Sequence, residues 1–147
     1  MSALALLLAL AAPAGATDYA LVCTQRTEGN NIAKSFRFAF SADDSSVSKI
    51  VVDDPQNVLD PLGRIAVYEY GGGGMSKGMP PQSKLKFSGK RESEGFTFSS
   101  KDKVLSVTLS LVPGENGALT YNFTGTRRMD STMFADLEGA GSCKAAS

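Results

Sequence analysis

The chain contains no histidine, and that absence removes more chemistry than any other feature of it. Serine–histidine–acid and cysteine–histidine mechanisms are excluded, as are zinc sites held through imidazole. With two cysteines in all, a zinc site built from thiolates lacks ligands too. No Cys-x-x-Cys pair occurs, so a redox-active dithiol is not read either. No cofactor and no metal site are expected. An excess of charge of one sign is also missing: 15 basic residues stand against 15 acidic ones. That balance provides no strong long-range steering toward nucleic acid or anionic membranes, and no nucleic-acid partner is expected. Nor is any stretch apolar for long enough to cross a bilayer as a helix, so no integral membrane association is expected.

The one sustained apolar run is Leu4 to Ala12, the length of a signal-peptide core. Pro13 breaks it, and Ala14-Gly15-Ala16 supplies the small-x-small pattern that a signal peptidase cleaves. The segment departs from a complete leader in having no Lys or Arg ahead of the apolar run. Residues 1–16 are read as a signal peptide and 17–147 as one domain, with a periplasmic or secreted location. The mature length, about 131 residues, suits one domain with a real core. No cysteine stands at the cleavage point, which argues against a lipid anchor.

In an exported chain an even pair of cysteines reads as a disulfide, here Cys23 with Cys143. Such a bridge joins the two ends of the mature domain and closes a loop of about 120 residues. On the chain-entropy model that contributes somewhat more than ~4 kcal/mol.

Along the rest of the chain, apolar and polar residues alternate in short runs separated by turn chemistry. Phe36, Phe38 and Phe40 face one way and Ser35, Arg37 and Ala39 the other, the period of a half-buried strand. Val47 to Val52 reads as its returning partner. Tyr19 to Cys23, Arg64 to Tyr70, Leu85 with Phe87, Phe96 with Phe98, Val104 to Val112 and Leu119 to Thr124 are read as further strands. Lys90 to Gly95 is read as a charged turn. Asp130 to Leu137 is read as one or two helical turns, followed by a flexible Gly139-Ala140-Gly141-Ser142-Cys143 that returns Cys143 to the first strand. About eight short strands at roughly ten-residue spacing predict an all-β, single-domain antiparallel barrel, half-open barrel or sandwich. The barrel is preferred because an open sheet exposes aggregation-prone edges. The eight phenylalanines either fill its interior or line a cavity for a small apolar ligand.

Few residues suggest chemistry. Asp43-Asp44, Asp53-Asp54, Asp60, Glu92 and Glu94 fall in turns; paired carboxylates can hydrolyse a glycoside, but adjacent turn aspartates are commonly solvated turn formers. Calcium through Asp43, Asp44 or Asp53 lacks EF-hand spacing. Gly71 to Gly74 followed by Met75, Ser76 and Lys77 is not a phosphate-binding loop, because that motif needs Gly, four residues and then Gly-Lys-Ser/Thr. Lys84, Lys86, Lys90, Arg91 and Arg127-Arg128 read as solvated strand faces. The connection from Gly71 through Gly74, Met75, Lys77 and Met79 to Pro81 is long and expected to be mobile, which makes it the candidate binding loop.

The leader, the first strand Tyr19-Ala20-Leu21-Val22-Cys23, the run of short strands and the closing Gly141-Ser142-Cys143 together resemble small exported proteins of Gram-negative bacteria. Among named families the layout is similar to the periplasmic lysozyme inhibitors. That resemblance implies a small β-barrel, an early cysteine paired with a late one, and a loop that enters the lysozyme cleft. Ser83, Lys84, Ser88 and Lys90 are of the residue types such a loop uses. The function expected is a non-enzymatic, exported binding or interaction module whose partner is a protein or a small apolar ligand.

Overall fold

A computed structural model describes residues 15–27, 29, 32–62, 85–129 and 133–146. They form eight antiparallel strands: β1 Thr17–Gln25, β2 Ser35–Ala42, β3 Val47–Asp53, β4 Ser88–Arg91, β5 Phe96–Lys101, β6 Leu105–Pro113, β7 Leu119–Arg128 and β8 Phe134–Ala145. The sheet order is β3-β2-β1-β8-β7-β6-β5-β4, so every pair of consecutive described strands except β3 and β4 is paired in the sheet, and the first strand pairs with the last. The result is a nearly closed up-and-down barrel.

Strict alternation turns one face of each strand inward. Leu105, Val107, Leu109 and Leu111 of β6 are buried, while Ser106, Thr108 and Ser110 point outward. Phe36, Phe38 and Phe40 of β2 are buried with Phe96 and Phe98 of β5, and their rings meet across the barrel. The Phe38–Phe98, Phe40–Phe98 and Phe40–Phe96 centroids are 4.7, 4.9 and 4.9 Å apart in edge-to-face geometry. Such pairs add to the burial free energy through the ring quadrupoles. In this half of the barrel the phenylalanines pack on one another as a core.

Among the described residues the barrel's gap lies between β3 and β4, which do not pair. Side chains bridge it instead. Arg91 donates from Nη1 to the Asp43 carbonyl at 3.2 Å and lies over the Phe96 ring, 5.0 Å from its centroid. Gly89 lets β4 sit close in: a Cβ there would press on the Phe98 ring and come 3.0 Å from Val47 Cγ1.

The last strand corrects two expectations. Residues 134–137 are not helical, and the glycine-rich stretch is no flexible tail; both belong to β8, twelve residues long. The reason is a division of space between β7 and β8. Tyr121 stands opposite Gly141, and Phe123 opposite Gly139. A Cβ at Gly139 would run into the Phe123 ring, and one at Gly141 into the Tyr121 ring and the Thr24 carbonyl. Two large rings take the room of four side chains, so β8 shows no apolar alternation to read.

Cys143 therefore reaches Cys23 by register and not by a flexible return. The two residues lie directly opposite in the β1–β8 ladder, Cα atoms 4.0 Å apart, both buried, and the disulfide links them across 120 residues of sequence. A smaller correction concerns β4, which starts at Ser88. Leu85 and Phe87 precede it, packed on the core without strand pairing, and Lys90 and Arg91 belong to the strand. The turn is Glu92 to Gly95, closed by the Glu92 N–H donating to the Gly95 carbonyl at 2.9 Å. The strand read over Arg64 to Tyr70 and the loop from Gly71 to Pro81 lie outside the described residues.

Candidate functional site

Alternating strand directions sort the connections onto two ends. The β2–β3, β4–β5 and β6–β7 turns lie at one end, here called the base. The β1–β2, β5–β6 and β7–β8 connections and the described ends of the β3–β4 connection, residues 54–62 and 85–87, lie at the other, the mouth. The mouth is where the molecule departs from what barrel closure requires.

After β3 the chain turns back into the barrel. Asp54 organises the turn: its Oδ1 accepts from the Val58 N–H and its Oδ2 from the Leu59 N–H, both at 2.8 Å. Asn57 takes the left-handed conformation (φ 55°) that asparagine tolerates better than most residues. Val58 and Leu59 are thereby driven into the core, and Asp60 is buried beside them. Gln56 anchors this plug to β2 by accepting the Ser35 N–H at 3.0 Å. A recess of about 270 Å³ opens beside it, lined by Lys34, Pro55, Gln56, Asn57 and Pro61.

Under the plug lies Arg127, the inward residue at the end of β7, with no exposed surface. Its Nε is 3.7 Å from Asp60 Oδ1, an ion pair too long for a hydrogen bond. Among the described residues the three guanidinium nitrogens, Asp60 Oδ1 and the Tyr121 hydroxyl have no hydrogen-bond partner. Burial raises the Asp60 pKa, the Arg127 charge pulls it back down, and Asp54 and Asp102 push it up again. Burial also raises Asp54, against the two N–H groups that favour its ionised form. The Tyr121 phenol is pushed up to about 12, by burial first and then by the Asp54 charge. The interior of the mouth thus holds a fixed cation, one close counter-ion and more donors than acceptors.

The rim above it carries exposed apolar side chains. Among the described residues Ile32 on the β1–β2 connection is 87 % exposed, Met133 on the β7–β8 connection 57 %, and Phe134, the first residue of β8, 58 %. The other exposed large apolar side chain, Val51, is on the barrel wall. No protein-family model, curated protein or solved structure matches the chain.

The carboxylates read from the sequence are divided between the ends. Asp53, Asp54 and Asp60 are at the mouth, whereas Asp43, Asp44, Glu92 and Glu94 are at the base. Asp53 and Glu94, each a candidate for carboxylate chemistry, thus stand at opposite ends of the barrel. Asp43 serves its own turn, its Oδ1 accepting from the Ser45 and Ser46 N–H groups at 2.9 and 2.8 Å. Those backbone bonds lower its pKa. Among the described residues no three acidic or cysteine side chains gather in a way that could hold a metal.

The remaining assignments are also clear. Cys23 and Cys143 are joined. Gly71, Gly74, Met75, Lys77 and Met79 lie outside the described residues, but the flanking Leu62 and Leu85 both pack on the core at the mouth. Of the residues suggested by the inhibitor resemblance, Ser88 and Lys90 are exposed on β4, with Lys90 Nζ 3.6 Å from Glu92; Ser83 and Lys84 are outside the described residues.

Arg127 and Arg128, read together as a solvated pair, separate: Arg127 faces in and Arg128 does not. Continuing the alternation Leu119, Tyr121, Phe123 by two further steps reaches Arg127, so that signal was present. Ile32 lies in a short connection with no apolar period to read, and Phe134, grouped with the other phenylalanines as an interior residue, is instead exposed at the start of β8.

Proposed function

We propose that the protein is a non-enzymatic, exported binding module that meets its partner with the mouth of the barrel. One observation carries the reading: Ile32 and Met133 on the β1–β2 and β7–β8 connections, and Phe134 at the start of β8, are left exposed at a single end. Scattered single apolar residues need no explanation, but several gathered on one end of a small domain mark an interaction surface. Export is supported by the leader pattern and by a disulfide, a bond that persists in oxidising compartments. The missing histidine and the carboxylates divided between two ends favour binding over catalysis.

The test is a photo-crosslinking amino acid at Ile32 or Phe134, and separately at Ser45 or Glu115 on the base, in cells that make the protein. Adducts are expected from the mouth positions alone. Equal adducts from both ends, or none from the mouth, overturn the reading. Lysozyme is the first named partner to try, on the strength of the resemblance in layout.

A second reading, a carrier for a small apolar ligand, draws on the buried guanidinium and phenol under the plug. A ligand with an acceptor oxygen at one end suits those donors. Native mass spectrometry of the freshly isolated protein is then expected to find a co-purified small molecule that Arg127→Met loses. A bare chain mass in the unaltered protein removes this reading.

A further inference from the structure

We infer that the mouth docks on an anionic lipid surface. The inference rests on the mouth being the working end and names what it meets. Its basis is a charge asymmetry concealed by the balanced total of 15 and 15. Every charged residue in the base turns is acidic: Asp43 and Asp44 in the first, Glu92 and Glu94 in the second, Glu115 in the third. At the mouth the exposed charged residues of the described connections and of the end of β3 are Arg26, Lys34, Lys86 and Lys103 against Asp53 and Asp102. Asp102 turns its carboxylate inward to its own turn, accepting from the Val104 and Leu105 N–H groups at 2.7 and 2.8 Å. Asp54 and Asp60 are spent on the plug and on Arg127.

The apolar tips belong to the same end as these cations. Ile32 shares the β1–β2 connection with Arg26 and Lys34, and Met133 with Phe134, the first residue of β8, stands at the next connection in the sheet order. Single apolar side chains projecting beside lysines and arginines are the arrangement with which a soluble domain enters the interfacial layer of a bilayer. The apolar tips reach the acyl boundary while the ammonium and guanidinium groups meet headgroup phosphates. A protein partner asks for something different, a packed central patch that fills a matching pocket. A fluid surface of one charge needs no such match. The acidic base then points away from the membrane, so the molecular dipole orients the domain as it approaches.

The test uses flotation of the intact protein with two kinds of vesicle, phosphatidylcholine alone and phosphatidylcholine mixed with phosphatidylglycerol. Binding is expected to the mixed vesicles only, and to weaken as salt is raised. The triple variant Ile32→Ser, Met133→Ser, Phe134→Ser is expected to lower the partition by about tenfold or more, and Lys34→Glu with Lys103→Glu by a similar factor. The base variant Glu92→Lys, Glu115→Lys is expected to retain binding. All these positions are exposed, and an unchanged unfolding midpoint verifies that each variant is folded.

Absence of binding to the mixed vesicles overturns the inference, and so does binding that the mouth variants leave unchanged. Crosslinks from Ile32 or Phe134 to a protein, without vesicle binding, overturn the lipid surface and leave the mouth as the docking end. No mouth adduct of any kind removes both.

Discussion

The two ends of this barrel obey different rules. At the base each turn is short and closes on itself. Asp43 binds its own Ser45 and Ser46, Glu92 N–H meets the Gly95 carbonyl, and Gly114 N–H meets the Ala118 carbonyl at 2.7 Å. Such turns do what eight antiparallel strands require and little more. At the mouth the chain spends a buried plug, an ion pair without hydrogen bonds and exposed apolar side chains, none of which the strands need. Features that closure does not require, all at one end, mark that end as the one shaped by a partner.

The largest effect that separates the ends is expected at Arg127. Arg127→Ala leaves Asp60 buried without its counter-ion, which costs about 3–5 kcal/mol. Arg127→Met combined with Asp60→Leu is expected to recover most of that loss, since apolar side chains of similar volume often replace buried ion pairs without penalty. Urea unfolding of the single and double variants decides it. A single variant as stable as the parent contradicts the buried pair.

At the base the sharpest expectation is Gly95→Ala. Gly95 has φ +96°, and a Cβ there collides with the Leu111 carbonyl on the β6 ladder. Left-handed strain and overpacking together are expected to cost about 2–4 kcal/mol. By contrast Gly117 has φ +76° with nothing within 4 Å of its Cβ position, so Gly117→Ala is expected to cost about 1 kcal/mol or less. If the two substitutions prove equal, contact with the wall is not what makes the first turn unforgiving.

Legibility in the sequence follows the same division. Strands whose inward faces carry whole side chains, such as β2 with its three phenylalanines and β6 with Leu105 to Leu111, declare themselves by alternation. β8 does not, because its inward positions were emptied so that Tyr121 and Phe123 could fill them. No propensity rule sees a glycine whose partner is two strands' worth of packing. The cysteine pairing was readable from compartment and count, while its means, direct register of the first and last strands, was not. At the mouth Asp60 looked like one more turn aspartate. Only its burial against Arg127, sixty-seven positions later in the chain, makes it a core residue.

The ends also differ in the sign of their response to pH. Asp54 and Asp60 have folded pKa values raised above the ordinary 3.8, chiefly by burial. A raised carboxyl binds its proton more tightly in the folded chain. Its stabilising contribution is therefore complete below the unfolded value and is lost as pH climbs through the folded one. Asp43 at the base is the reverse: lowered by its backbone bonds, it stabilises above the unfolded value, and that contribution fades as pH falls through the folded one. Unfolding free energy measured from the acid side upward is expected to fall less steeply above pH 3.8 in Asp60→Asn than in the parent. In Asp43→Asn the decline on the acid side of 3.8 is expected to flatten instead. Matching profiles for the two variants would remove the distinction between a buried mouth and a solvated base.

The smallest effect on stability and the largest on function are expected from the same change, deletion of Gly71 to Gly74. The wall closes through the β1–β8 ladder and the Cys23–Cys143 bond, and the β3–β4 gap is spanned by Arg91; none of these involves the glycines. Leu62 and Leu85, which flank the connection, pack on the core and are expected to keep that packing in the shortened protein. Shortening a long loop changes its closure entropy by only ~0.6 kcal/mol or less, so the urea midpoint is expected to stay within error. Met75, Lys77 and Met79 lie in sequence between Leu62 and Leu85, outside the described residues, and the strands that flank them, β3 and β4, end and begin at the mouth. Binding by the shortened protein is therefore expected to weaken, measured by mouth crosslinking yield and by vesicle flotation. Undiminished binding by the shortened protein would confine the working surface to the β1–β2 and β7–β8 tips. A collapse of stability would mean that the connection forms part of the wall, and the contrast between a structural base and a functional mouth would fail with it.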